Sequence, residues 1–149
     1  MIRSERMHAF RALLRVARVG EVRATQAWAE AFAEEQSCAD VHEELSRARD
    51  AVLQASHGQV AHNQYLDMAR YEMLSRLDEV LVDELHTASD ALNASRKESV
   101  ERATVAIAQK RQRENIQEKV RKTGRWLNEK QTSAQQEEAI ETWHGAKKS

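Results

Sequence analysis

Proline is absent from this chain of 149 residues, and glycine occurs only four times. Average usage near 5% would place about seven prolines in a chain of this length. Proline is also the residue that most reliably ends a helix, because it lacks a backbone N–H and its ring clashes with the preceding turn. Nothing in the sequence therefore forbids long, uninterrupted helices.

Cysteine and long apolar runs are also scarce. The single cysteine, Cys38, excludes an intramolecular disulfide. No run approaches the about 20 apolar residues that a membrane span needs, and the N-terminus lacks the apolar core of a signal peptide. We therefore expect a cytoplasmic protein that does not span a membrane.

Aromatic residues make up 5% of the chain and hydrophobic residues 41%, whereas 32% are charged. This is too little apolar surface for a thick globular core. The abundance of Ala, Glu, Arg, Gln, Leu and Lys is typical of long helices and coiled coils. We predict an all-α fold, a single long antiparallel two-helix coiled-coil hairpin over residues 1–149 with an overhanging C-terminal helix. Its thin core predicts marginal stability outside a complex.

Apolar and small residues recur at steps of four and three from Ser4 onward, which is a heptad pattern. The first run is Phe10, Leu14, Ala17, Ala24, Trp28, Ala31 and Cys38. One extra three-residue step, a stammer, leads to Val41, Leu45, Ala48, Val52 and Ala55. We predict helix A over about residues 4–56.

The segment from Ser56 to Gln64 interrupts the pattern and predicts a turn at about residues 57–63. Gly58 is its expected left-handed C-terminal cap, and Asn63 is a candidate N-cap. Helix B is predicted over about residues 64–143. Its seam is Leu66, Met73, Leu77, Leu81, Leu85, Ala88, Leu92, Ser95, Ser99, Ala103 and Ala106.

A rival break lies at residues 86–99, where Thr, Ser, Asp and Asn lower helix propensity. Ser95 and Glu98 match a capping box there, and a break would give a three-helix, spectrin-like bundle. The heptad phase persists across the stretch, which favours one continuous helix.

The seam thins beyond Ala106, after which residues 109–115 are wholly polar. A hairpin folded at Gly58 lets helix A reach only to about residue 115, so roughly the last 30 residues lack an intrachain partner. Trp126 and Trp143 lie in this tail, and we assign them as candidate contacts with a partner protein.

Charge is strongly segregated along the chain. Residues 1–29 carry six basic and two acidic side chains, residues 30–50 and 51–95 each carry two and seven, and residues 96–130 carry eleven and five. Folding at Gly58 lays basic segments beside basic ones and acidic beside acidic. Screening limits the cost to a few tenths of a kcal/mol per pair. The expected hairpin is a rod with a positive end at the termini and a negative end at the turn, suited to steering into two different partners.

No nucleotide-binding, nucleophile-elbow or zinc-protease motif is present. Cys38 and His42 share a helix face but supply only two of the four ligands of a structural zinc site, so we interpret Cys38 as a buried seam residue. We expect no enzymatic activity, no cofactor and no metal. The early arginines come with no recognition motif for nucleic acid, so we expect no nucleic-acid partner.

Aromatic residues and methionines crowd the start of helix B. Tyr65, Met68 and Tyr71 lie off the predicted seam, which leaves apolar area beside an acidic end of the hairpin. Such area is typical of a partner-binding patch.

Several features together resemble the small stalk proteins of type III secretion systems, the FliJ/YscO/HrpO family. They are the length, the absence of proline, the N-terminal heptad helix, the turn near residue 60, the longer second helix and the C-terminal segment QQEEAIETWHGAKKS. The segment ELSRARDAVLQA lacks the paired tyrosines that flagellar members often carry late in helix A, which indicates the virulence branch.

The resemblance implies a protein-transport role as an ATPase stalk, peripheral to the inner-membrane secretion apparatus. Its partners would be a hexameric secretion ATPase, an export-gate membrane protein and secretion chaperones. The positions that correspond to ring binding are Arg11, Arg15, Arg18, Lys110, Arg111 and Arg113, and those for the gate are Tyr65, Met68 and Tyr71.

Two other functions fit the sequence. The hairpin could be an escort chaperone that clasps secreted subunits through the patch near the turn. It could also be a structural coiled coil that self-associates, in which case the tail tryptophans would be buried without another protein.

Overall fold

The structure, a computed structural model, describes residues 2–61 and 67–148. These residues form two helices and no strand, α1 (Ile2–Ala61) and α2 (Met68–Lys148), which pack against each other as a hairpin. Contacts group the chain into two units. The terminal unit comprises Met1–Thr25 and Val105–Ser149, and the central unit comprises Gln26–Thr104.

Helix α1 ends later than the sequence pattern suggests. It runs through Ala61, so residues 57–61 are helical rather than part of a turn. Gly58 does not adopt a left-handed conformation, and a Cβ placed on it would meet nothing within 4 Å. The prediction of a cap at Gly58 is therefore wrong. The rest of the predicted turn, with Asn63 and Tyr65, lies outside the described residues.

Helix α2 begins at Met68 behind an aspartate N-cap. The Oδ1 atom of Asp67 accepts a hydrogen bond from the backbone N–H of Arg70 at 3.2 Å. The Asp67 carbonyl accepts the N–H of Tyr71 at 2.9 Å. An aspartate side chain that satisfies a free amide of the first turn is a strong start signal, and it explains why α2 begins four residues after the predicted position.

Helix α2 is continuous through residues 86–99, which confirms the prediction of an uninterrupted second helix. Ala88, Leu92, Ser95 and Ser99 are all buried there. The Thr87 hydroxyl donates to the Asp83 carbonyl one turn earlier, so it does not compete with the helix. Small buried side chains allow the two helices to approach, and this packing outweighs the weak local propensity.

The buried seam agrees with the predicted one in the middle of α2 but not at its start. Leu81 and Ala106 are buried as predicted, whereas Leu74 is buried in place of Met73 and Leu77, which are 58% and 43% exposed. Leu74 and Leu81 form a core cluster with Val52 of α1, against which Leu45 and Ala55 pack. Leu66 lies outside the described residues.

The seam of α1 differs from the prediction because polar residues occupy part of it. Leu14, Ala17 and Val52 are buried as predicted, but Trp28, Val41 and Ala48 are exposed. Half-buried positions follow each other in unbroken steps of four and three: Ala31, Glu35, Cys38, His42, Leu45 and Arg49. The stammer after Cys38 is therefore wrong. The apparent stammer arises when the assignment of seam residues skips a charged residue or a histidine and takes the nearest apolar residue instead.

In the terminal unit, residues of α1 lie beside later residues of α2 than a chain reversal at Gly58 would allow. A Cβ on Gly124 would lie 3.2 Å from Met7 Cε, and one on Gly20 would lie 2.8 Å from Gln109 Oε1. Helix α1 therefore reaches well past residue 115, because the chain reverses later than predicted. The segment that is exposed on every face is residues 128–147, shorter than the predicted tail.

Candidate functional site

The terminal unit contains a bidentate ion pair between the helices. Arg113 Nε donates to Glu21 Oε2 at 2.7 Å and Arg113 Nη2 donates to Glu21 Oε1 at 3.2 Å. A third guanidinium nitrogen, Nη1, donates to Gln117 Oε1 at 2.8 Å. Each side chain of the pair is 23% exposed. Parallel N–H···O bonds of this kind fix geometry as well as adding energy.

The pair shifts the acid–base equilibria of both residues. The hydrogen bond from Arg113 lowers the pKa of Glu21, and the positive charges of Arg113 and Lys110 act in the same direction. The same hydrogen bond raises the pKa of Arg113. The ionised form of Glu21 is therefore stabilised, and Lys110 lies close enough for its positive charge to interact with the carboxylate.

The central unit holds two further ion pairs between the helices. Arg49 Nε donates to Asp78 Oδ1 at 3.2 Å, and Arg96 Nε lies 3.8 Å from Glu35 Oε1. Each of the three pairs joins opposite charges. The predicted alignment of like charges concerned whole segments, and it still describes them: residues 1–25 and 105–149, which form the terminal unit, are both net positive. The three pairs are local contacts between opposite charges within segments of like net charge.

Five of the six residues that the resemblance assigned to an ATPase ring are exposed: Arg11, Arg15, Arg18, Lys110 and Arg111. The three arginines of α1 follow each other at steps of four and three, so they share one helix face. Arg113 differs, since its guanidinium is engaged by Glu21. The structure thus offers five cations to a partner and uses the sixth to join the helices.

An open groove in the terminal unit combines cations with aromatic rings. It has a volume of about 740 Å³ and is lined by Arg6, Phe10, Lys119, Lys122, Thr123 and Trp126. Phe10 and Trp126 are half-buried, while Arg6, Lys119 and Lys122 are exposed. We call this the basic groove. Apolar rings between positive side chains suit a ligand that is both apolar and acidic.

The two tail tryptophans have different surroundings. Trp126 lines the basic groove beside residues of α1, with Lys130 Nζ 5.1 Å from its ring centroid. The expectation that it lacks an intrachain pocket is therefore wrong. Trp143 is 57% exposed, and it contacts His144 edge-on at 5.3 Å and Lys147 Nζ at 4.3 Å.

Two exposed apolar groups lie at the start of α2 in the central unit. Met68 and Tyr71, assigned to the export gate, are 61% and 39% exposed. Tyr65 lies outside the described residues. Met73, Leu77 and Val80 follow at steps of four and three and are all exposed. We call these three residues the apolar strip.

Cys38 is half-buried, and its thiol lies 3.8 Å from Glu34 Oε1 as a hydrogen-bond donor. Among the described residues, no group of three or more His, Cys, Asp or Glu side chains could hold a metal ion. Neither described helix has a stretch both long and apolar enough to cross a lipid bilayer.

The chain matches no protein-family model, no curated protein and no solved structure. The resemblance to secretion stalk proteins therefore remains an expectation drawn from the sequence.

The basic groove was missed at the level of sequence, although part of its signal is visible there. Lys119, Lys122 and Trp126 are spaced by three and four residues, which places them on one face of α2. Their contact with Arg6 and Phe10 depends on the helix register. A register centred on Gly58 puts those residues beyond the reach of Trp126.

Proposed function

We propose that this chain is a non-enzymatic stalk of a type III secretion system that links the secretion ATPase ring to the export gate. The observation that carries the proposal is the set of exposed cations in the terminal unit, which comprises Arg11, Arg15 and Arg18 of α1 and Lys110 and Arg111 of α2. Because both helices contribute, a partner that binds this surface would engage the hairpin as a whole.

Net charge favours the same assignment. The terminal unit carries 16 basic and 8 acidic residues, and the central unit carries 7 and 16. Complementary potential raises association rates and orients partners as they meet. In this proposal the terminal unit binds acidic surfaces of the ATPase ring.

The proposal includes an antiparallel coiled coil as the form of the stalk. Its support is the four-and-three spacing of the half-buried residues of α1. Within the terminal unit, Met7 lies near Gly124 and Glu21 pairs with Arg113. A higher number on α1 thus accompanies a lower number on α2, as antiparallel pairing requires.

The export gate is the second partner in the proposal, and secretion chaperones are further ones. Met68 and Tyr71 are the candidate contacts with the gate, because they are exposed and three residues apart on one face of α2. A stalk of this kind would act in the cytoplasm at the inner membrane.

The decisive experiment measures binding and stimulation of the cognate secretion ATPase. We expect the wild-type chain to co-purify with the ATPase and raise its turnover, and the Arg11→Glu/Arg15→Glu/Arg18→Glu variant to lose both. The matched control, Arg70→Glu/Arg76→Glu/Lys97→Glu, reverses three exposed charges of the central unit and should retain both. Absence of binding by the wild type, or equal behaviour of the two variants, would contradict the proposal.

The apolar strip favours a second candidate, an escort chaperone for secreted subunits. Exposed apolar groups in a row fit the apolar face of a client helix. A chaperone of this kind would bind export substrates without the ATPase. Met73→Ser/Leu77→Ser should then abolish substrate binding while the arginine variant retains it.

A further inference from the structure

An exposed row of aliphatic side chains runs along α1 within the terminal unit. Leu13, Val16 and Val19 are 51%, 70% and 50% exposed. They follow each other at steps of three, and the exposed Ala9 and Ala12 extend the row by one turn. Side chains at these spacings share one helix face. We call these five residues the aliphatic row.

The aliphatic row lies on the side of α1 that faces away from α2. The buried residues of this segment are Met7, Leu14 and Ala17. At 3.6 residues per turn, Val16 lies roughly 160° around the helix from Leu14. The segment therefore has two apolar faces. One packs in the seam, and the other is exposed.

Positive side chains border both edges of the aliphatic row. Arg6 precedes Leu13 by seven residues, which is two turns along one edge. Arg15 lies one position before Val16, beside the other edge. Both arginines are exposed. Long cationic side chains can lay their stems along apolar surface while the charge stays in a polar layer.

Carboxylates are scarce on this side of α1. Residues 2–25 contain two, Glu5 and Glu21. Glu21 points toward α2, where it pairs with Arg113. Glu5 lies beyond the N-terminal end of the aliphatic row. The row itself is therefore bordered by cations along its whole length.

Helix α2 adds two cations at the edge that Arg6 marks. Lys119 and Lys122 are exposed, and they line the basic groove together with Arg6. A surface that matches this side of the terminal unit is apolar where it meets the row and anionic around it.

Two kinds of partner have this chemistry, an anionic membrane surface and an acidic protein surface. The row favours the membrane, because it is a file of aliphatic groups without an aromatic member. Protein interfaces concentrate their binding energy in aromatic and arginine side chains that fill pockets. A bilayer needs no matching shape. It accepts an apolar helix face at the boundary of headgroups and acyl chains and attracts the neighbouring cations through anionic lipids.

We infer that this side of the terminal unit binds anionic membrane surfaces, with the aliphatic row inserted among the lipid headgroups. Arg6, Lys119 and Lys122 contact lipid phosphates at one edge of the row. Neither the ATPase nor the export gate takes part in this contact. Arg15 is shared with the cations proposed to bind the ATPase ring, so the experiments below leave it unchanged.

The first experiment measures co-sedimentation of the full chain with lipid vesicles. The vesicles contain phosphatidylcholine alone or equal parts of phosphatidylcholine and phosphatidylglycerol. We expect the wild type to bind the mixed vesicles at least about tenfold more tightly than the neutral ones. Leu13→Ser/Val16→Ser, the row variant, and Arg6→Glu/Lys119→Glu, the edge variant, should each weaken binding to mixed vesicles about tenfold or more. Circular dichroism checks that both variants remain helical.

Two matched controls separate this contact from general attraction to the vesicles. Val41→Ser/Val100→Ser removes two exposed valines of the central unit. Arg76→Glu/Lys97→Glu reverses two exposed charges of the same unit, so the net charge changes as much as in the edge variant. Both controls should bind mixed vesicles like the wild type.

The second experiment locates the inserted residues with a polarity-sensitive fluorophore. The label is attached to Val16→Cys in a chain that carries Cys38→Ser, and in a matched chain to Val100→Cys. Mixed vesicles should shift the emission of the label at position 16 to shorter wavelength, because that label enters a less polar layer. The label at position 100 should keep its emission.

Three outcomes would overturn the inference. One is wild-type binding to mixed vesicles no stronger than to neutral ones. Another is unchanged binding by the row variant, which would leave charge alone as the cause and open the row to an acidic protein partner. The third is an equal response of the labels at positions 16 and 100. None of these results depends on the ATPase.

Discussion

Glu21 and Arg113 occupy a part of the helix interface where two packed helices usually place apolar side chains. Glu35 and Arg49 of α1 lie on the same repeat, at multiples of seven residues from Glu21, and each has an oppositely charged partner on α2. A charged residue in the seam raises the free energy of shifted helix registers, because a shift separates the paired charges or brings like charges together. These pairs therefore select one register of α1 on α2.

The Glu21–Arg113 pair makes stability depend on pH in a defined direction. Arg113 lowers the pKa of Glu21 in the folded chain below the ordinary value of 4.5. A carboxyl group whose pKa is lower in the folded chain stabilises the fold at pH values above the pKa that it has in the unfolded chain. This contribution is lost as the pH falls through the pKa of the folded chain. We expect the melting temperature of the wild type to fall more steeply than that of Glu21→Gln from about pH 6 to about pH 3.

Thermal unfolding followed by circular dichroism checks this. Glu118→Gln is a suitable control because the pKa of Glu118 is also lowered, but by Arg121 three residues along the same helix. It should lower the melting temperature at neutral pH less than Glu21→Gln does. Parallel pH profiles for wild type and Glu21→Gln would mean that the pair does not contribute to folding.

Substitutions at Leu81 and Leu77 test which leucines of α2 form the core. Leu81 is 7% exposed within the cluster of Val52 and Leu74, whereas Leu77 is 43% exposed. Leu81→Ala should reduce the free energy of unfolding by about 2–3 kcal/mol, and Leu77→Ala by less than about 1 kcal/mol. Both changes alter helix propensity equally, slightly in favour of alanine, so the difference between them in chemical denaturation isolates packing. Equal losses would support the seam predicted from the sequence.

At the scale of the helices, the sequence predicts the number of elements and the continuity of α2. Proline-free composition and the persistent heptad phase suffice, because both depend on local pattern. The register of α1 against α2 is harder to predict from the sequence, since it depends on where the chain reverses. The N-cap Asp67 and the charged seam residues Glu35 and Arg49 carry that information, but a search for apolar residues passes over them. The basic groove was missed for this reason.

A substitution at Gly58 tests directly whether α1 continues through this residue. It is helical, and a Cβ would meet nothing within 4 Å. Gly58→Ala should therefore stabilise the chain by about 0.5–1 kcal/mol, the ordinary difference between these residues inside a helix. A left-handed cap at this position would give the opposite sign, because alanine is strained there. Denaturant titration of the two chains separates the possibilities.

At the scale of the whole molecule, net charge of opposite sign is divided between the two units. The terminal unit has 8 more basic than acidic residues, and the central unit has 9 more acidic than basic ones. The apolar strip belongs to the central unit, and the candidate ring-binding arginines Arg11, Arg15 and Arg18 belong to the terminal one. Binding through these arginines should therefore weaken with added salt, whereas binding through the strip should not.

This difference supplies a test of function that needs no variant. Between about 0.1 M and about 1 M salt the Debye length falls from about 10 Å to about 3 Å, so steering by the terminal unit is nearly eliminated. A stalk that binds its ATPase through arginines should associate at least about tenfold more slowly at the higher salt. A chaperone that binds clients through Met73, Leu77 and Val80 should keep its affinity, because apolar burial does not weaken with added salt. Stopped-flow association at several salt concentrations distinguishes the two, and an ATPase association rate indifferent to salt would remove the arginine surface from the mechanism.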